Sequence, residues 1–125
     1  MFHISTESSL RVEKSSMTNV NTLFSGGVLF CLSSEAWFIE CTISNIDAQK
    51  EGGFALVNQD SYISISRSTS ITGVSALSYS IIAGYDTKVE LSDSTFRDFN
   101  NTGIFGNALA GLTINNCEFT NSMAD

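Results

Sequence analysis

With 125 residues, 42% of them apolar, the chain is sized for one domain, residues 1–125, and no shift of composition marks a linker or a second unit. Its net charge of −7, with six basic residues placed singly, argues against nucleic acid, anionic membrane surfaces and polyanions in general as partners. Proline is absent, as expected of a fold whose strands are paired along both sides.

In chain order, the opening Met1-Phe2-His3-Ile4 reads as a short strand. A phrase then begins at Leu10 that recurs along the chain: apolar, any, apolar, two of any kind, small, any, apolar. Its small residue falls at Ser15, Cys41, Ser68, Ser94 and Cys117, at spacings of 26, 27, 26 and 23 residues. In the first copy Leu10 and Val12 precede the small residue and Met17 follows; in the second, Ala36, Phe38 and Ile43 take those places. The third has Ile63 and Ile65 but Ser70 where an apolar residue is due, and Ile71 beside it predicts a slip or bulge of one residue in that copy. Val89, Leu91 and Phe96 make the fourth copy, and Leu112, Ile114 and Phe119 the fifth.

This alternation is that of half-buried strands, two per copy with a bend between them, and no helical stripe is sustained over eleven residues. A third strand follows in each unit: "VLFC" from Val28, "FALV" from Phe54, "SIIA" from Ser80 and "GIFG" from Gly103. The first two are introduced by Gly26-Gly27 and Gly52-Gly53, pairs that allow a tight corner at positive φ. Three short strands per unit of 23–27 residues predict an all-β chain, a right-handed parallel β-helix of about 4.5–5 coils stacked about 4.8 Å apart. Each coil buries its apolar side only against its neighbours.

Stacking turns the repeats into columns. Ser15, Cys41, Ser68, Ser94 and Cys117 form an inward column of small residues, and Asn19, Asn45, Thr72, Asp98 and Asn121 a polar column able to hydrogen-bond along the stack. Lys14, Glu40, Arg67, Asp93 and Asn116 form an outward column of alternating charge. Cys41 and Cys117 lie three coils apart, about 14 Å at the strand spacing, too far for a disulfide, and Cys31 ends a different strand. The expected role of all three is that of small buried hydrophobes.

Chemistry is sparse. One histidine, His3, leaves no His-based triad or zinc cluster, and neither glycine pair opens a helix to cradle phosphate. The catalytic and calcium candidates are Asp60 and Asp86, stacked one coil apart with Glu7 and Ser33 in the same column; two such carboxylates could serve as an acid and nucleophile pair or hold calcium. The local reading, a solvated Asp turn, is the expected one. Asp93 with Arg67 and Arg97 reads as part of the charge column. Asn100-Asn101-Thr102 is a glycosylation sequon in a loop, and Trp37, Tyr62, Tyr79 and Tyr85 lie near strand starts and corners, where rings can stack on sugars. No metal or cofactor is expected.

The phrases "CTISNIDAQKEGGFAL" from Cys41 and "STFRDFNNTGIF" from Ser94 resemble the repeats of the pectate-lyase-like right-handed β-helix superfamily, and within it those of the polymorphic outer-membrane protein type. Ile43 and Met17 stand where that type has Phe, and the glycine pair is lost in the third and fourth copies. The resemblance implies a non-enzymatic, structural or adhesin-like part of a cell-surface or secreted protein. Its expected partners are the flanking coils and a protein or glycan surface, with no insertion into the membrane. It carries over no catalytic residue, and a polysaccharide lyase or glycoside hydrolase fragment built on the stacked carboxylates is the alternative. Both ends of the chain fall inside a coil, without a cap or a signal peptide, which makes a segment of a longer solenoid the expectation.

Overall fold

A computed structural model describes residues 2–78, 81–100, 104–107 and 111–120; for 104–107 it describes the backbone. The first coil carries β1 (Phe2–Ile4), β2 (Ser9–Glu13) and β3 (Ser16–Thr22), and the second β4 (Leu29–Leu32), β5 (Glu35–Ile39) and β6 (Thr42–Ala48). The third has β7 (Ala55–Asn58), β8 (Tyr62–Ser66) and β9 (Ser70–Ser75), the fourth β10 (Ile82–Tyr85), β11 (Lys88–Ser92) and β12 (Thr95–Phe99). β13 (Ile104–Asn107), β14 (Gly111–Asn115) and β15 (Glu118–Thr120) complete the series.

Every third strand pairs in parallel, giving three five-stranded sheets. Sheet A is β1-β4-β7-β10-β13, sheet B is β2-β5-β8-β11-β14 and sheet C is β3-β6-β9-β12-β15. The chain is thus a parallel β-solenoid of about four turns. The inward columns are those expected from the repeats: Leu10, Ala36, Ile63, Val89 and Leu112 align in sheet B, as do Val12, Phe38, Ile65, Leu91 and Ile114. Phe38, Ile63, Ile65, Val89 and Phe96 are completely buried, and Phe38 meets Phe54 edge-on across the interior with centroids 5.0 Å apart.

The slip in the third copy is real, and it moves two residues out of their expected columns. In sheet C, Ser70 pairs with Thr42 and Ile71 with Ile43, so Thr69 replaces Ser68 in the inward small column, where its Oγ1 accepts the Cys41 N–H at 3.2 Å. The extra residue is taken up at the corner: Arg67 and Ser68 are both left-handed, at φ 55° and 61°, where the other copies use Lys14, Glu40, Asp93 or Asn116 alone. Thr72 likewise gives way to Gly73, which enters the polar column beside Asn45. That column is also left-handed at Asn19, Asn45 and Asp98, and Gly73 sits at φ +68°. The residue types suit the backbone, because Asn, Asp and Gly tolerate this region best. Asn45 Nδ2 donates to Asn19 Oδ1 at 3.2 Å, so the ladder forms between the first two coils. Asn121 lies outside the described residues.

Gly26 and Gly52 have φ +70° and +67°, and a Cβ on either would run into a carbonyl oxygen, of Leu29 and Ala55 respectively. The two pairs stack, Gly26 N–H on the Gly52 carbonyl at 2.9 Å and Gly27 N–H on that of Gly53 at 2.8 Å. No helix among the described residues is long and apolar enough to cross a membrane.

Candidate binding face

Asp60 and Asp86 stand at the corners from sheet A to sheet B. Asp60 N–H donates to the Asp86 carbonyl at 2.8 Å, so the two are stacked neighbours. Both are left-handed, as are Glu7 and Ser33 in the same column, with Thr6 and Gln59 as second left-handed residues at two of these corners. A conformational demand on the backbone therefore accounts for polar turn-forming residues such as Ser33, Asp60 and Asp86 there. A cleft of about 270 Å³ at this corner takes in Asp60 with Glu7 and Glu35 and leaves Asp86 outside. Among the described residues, no three His, Cys, Asp or Glu side chains are grouped to hold a metal.

Behind each of these corners runs a hydroxyl column that sequence reasoning missed: Ser8, Ser34, Ser61 and Thr87. Ser34 Oγ accepts the Ser8 N–H at 3.1 Å and Ser61 Oγ accepts the Ser34 N–H at 3.2 Å. Each hydroxyl also donates to a carbonyl just upstream, as Ser34 does to Leu32 and Thr87 to Tyr85. The signal was present, since a Ser or Thr stands two residues before each of Leu10, Ala36, Ile63 and Val89. The column satisfies buried backbone groups where the ladders of two sheets are interrupted.

The remaining expected residues are structural or disperse. Ser15 and Ser94 donate to the carbonyls of Glu13 and Ser92, both at 2.8 Å, and Cys41 is buried with its Sγ 3.4 Å from the Val12 and Ile39 carbonyls. The three cysteines are free, and burial pushes the Cys31 thiol up. Ion pairs among the described residues lie outside the supposed charge column, which supplies left-handed corners instead; within it Asn116 Nδ2 donates to Asp93 Oδ1 at 2.7 Å. Asn100 is held by two hydrogen bonds to the backbone of Ala76, at 3.1 and 3.0 Å; Asn101, Thr102 and Tyr79 lie outside the described residues. Tyr85, on sheet A, donates to Glu51 at 2.7 Å.

Side chains do converge on the outward face of sheet B. Strand alternation turns Arg11, Trp37, Ser64 and Glu90 outward in one column and Ser9, Glu35, Tyr62 and Lys88 in the next. Trp37 and Tyr62 are diagonal neighbours with ring centroids 5.9 Å apart and planes inclined by 55°. They form a half-buried V on the outward face of the sheet. Tyr62 Oη donates to Glu90 Oε2 at 2.6 Å, Lys88 Nζ lies 3.2 Å from Glu90 Oε1, and the same ammonium is 5.9 Å from the Tyr62 ring centroid. Below Trp37, Arg11 pairs with Glu13 at 2.8 Å. The hydrogen bond from Tyr62, with Lys88 beside it, holds the Glu90 carboxyl below its usual range; Arg11 does the same to Glu13. Burial, then the bond to Glu90, pushes the Tyr62 hydroxyl up.

Sequence reasoning singled out Trp37 and Tyr62 but not Arg11, Glu35, Lys88 or Glu90. The outward columns between the apolar ones hold all four. The arrangement can stack on a flat, partly apolar ligand and hydrogen-bond to its rim. Comparison with protein families, curated proteins and solved structures finds no match to this chain.

Proposed function

We propose that this chain is a non-enzymatic, adhesin-like module of a cell-surface or secreted protein, a β-helix of the pectate-lyase-like superfamily with repeats of the polymorphic outer-membrane type, and that it binds glycan on the outward face of sheet B. The observation that carries this reading is the contact between Trp37 and Tyr62. Single exposed rings are common on any surface, but two rings joined in a V and flanked by fixed carboxylates and cations offer a sugar both a stacking surface and hydrogen-bond partners. A parallel sheet also holds these groups rigidly, so little ordering opposes binding. The enzyme alternative gains no observation of its own, because the corners that Asp60 and Asp86 occupy account for them.

Trp37 is the only tryptophan, so its fluorescence reports on the face directly. Soluble oligosaccharides titrated against the chain should shift or quench that emission. Tyr62→Ala should weaken the effect about tenfold, the size expected for one lost stacking partner. A Trp37→Ala chain, followed by calorimetry, should lose most of the binding while keeping its melting temperature. Binding that survives both substitutions would place the glycan elsewhere, and no response to any oligosaccharide would end this reading.

A further inference from the structure

The charges around the V are unevenly compensated. Each cation on this face is tied to a carboxylate two residues along its own strand, Arg11 to Glu13 at 2.8 Å and Lys88 to Glu90 at 3.2 Å. The second oxygen of Glu90 is taken by the Tyr62 hydroxyl. Glu35 is different. It opens β5, pairs in register with Tyr62, projects to the same side as Trp37 two residues on, and enters no ion pair among the described residues. Its carboxylate, the one in these two outward columns without a cation, therefore stands next to the two aromatic rings in register and shares the corner cleft with Glu7 and Asp60, on a chain whose net charge is −7. Lys88, with its ammonium 5.9 Å from the Tyr62 centroid, shows that an ammonium can lie against a ring of this patch.

Given the glycan-binding reading, on which this inference rests, we propose that the face selects hexosamine chains carrying free, protonated amines over neutral or acidic ones. The sugar ring lies in the V between Trp37 and Tyr62, and its ammonium meets the Glu35 carboxylate at the rim. A neutral chain keeps the stacking and loses the ion pair. A uronate chain sets its carboxylate against Glu35 and against the field of the whole molecule.

Titration of Trp37 fluorescence with a glucosamine hexamer, an N-acetylglucosamine hexamer and a galacturonate hexamer tests this at low salt. The expected order has the free-amine hexamer binding about fivefold or more tighter than the acetylated one, with the uronate weakest. In Glu35→Gln the ratio between the first two should collapse toward one, in a chain whose melting temperature shows it is folded. Equal affinities in the unaltered chain, or a preference untouched by Glu35→Gln, would overturn the selection while leaving glycan binding standing. Penta-lysine binding as tightly as the glucosamine hexamer would also overturn it, because charge alone would then suffice and the partner would be a basic peptide. Silence of Trp37 toward all three hexamers would instead remove the glycan reading itself.

Discussion

Tyr62 and Glu90 each change how the other holds its proton. The phenol donates to an ionised carboxylate at 2.6 Å, a short, charge-assisted bond that also has Lys88 on its far side. Glu90 is therefore held below its ordinary value of 4.5, by Tyr62 first and Lys88 second, and Tyr62 is raised above 10.0, by burial first and Glu90 second. The signs give two limbs. A lowered carboxyl contributes stability above its unfolded value and loses it as pH falls through the folded one. A raised phenol contributes below its unfolded value and loses it as pH rises through the folded one. The bond is thus complete between about pH 5 and pH 9.5. Its effect on stability is small, because Glu90 is open to water. In Tyr62→Phe, the Glu90 carboxyl followed by NMR should titrate closer to the ordinary range, and a component of the tyrosine absorbance that rises above the ordinary phenol range should vanish. An unchanged Glu90 titration in that variant would mean that Lys88 alone sets it.

At the scale of single elements, corners decide the register. Among the described residues every left-handed non-glycine lies at one of three places: the corner from sheet A to B, the corner from B to C, or the bend within sheet C. One left-handed residue turns a corner and two turn it as well, as Asp86 and the pair Gln59-Asp60 show. An insertion at a corner is therefore absorbed locally, whereas one inside a strand would turn every later side chain of that strand to the wrong face. Deleting Ser68 should accordingly leave Thr69 following Arg67 as Cys41 follows Glu40, with stability changed by about 1 kcal/mol or less, while deleting Ser44 from β6 should abolish cooperative unfolding. Thermal melts of the two deletions check this, and equal damage would show that the double corner is needed. The same elements mark what could be read from residues alone. Apolar columns and glycine pairs were legible because burial and positive φ narrow the residue types permitted. The corner residues were not, since Asp60 suits a left-handed corner and a catalytic carboxylate equally well, and Ser68 and Thr69 are interchangeable until pairing shows which one faces inward. The face of sheet B was half legible: its rings stood out singly, but their meeting depends on register across coils.

For the molecule as a whole, a stack of coils makes position along the axis count as much as residue type. The column Val12, Phe38, Ile65, Leu91 and Ile114 provides the comparison, because it holds isoleucine twice in one geometric setting. Ile65 is covered by Phe38 and Leu91 on either side and is 0% exposed; Ile114, stacked on Leu91 alone among the described residues, is 47% exposed. Truncating Ile65 to Ala leaves a closed cavity in the middle coil and should cost about 2–5 kcal/mol. At Ile114 the same truncation removes methyl groups that water already reaches, opens no closed cavity, and should cost about 1 kcal/mol. Urea denaturation of the two variants measures the difference directly, and the slope should stay that of the unaltered chain if both unfold as one unit. Stability would then be a sum over coils and their interfaces, as expected of a solenoid, with the face that carries Trp37 and Tyr62 resting on coils covered on both sides. Equal losses at Ile65 and Ile114 would contradict that gradient and show that Ile114 is covered in solution by a surface not among the described residues.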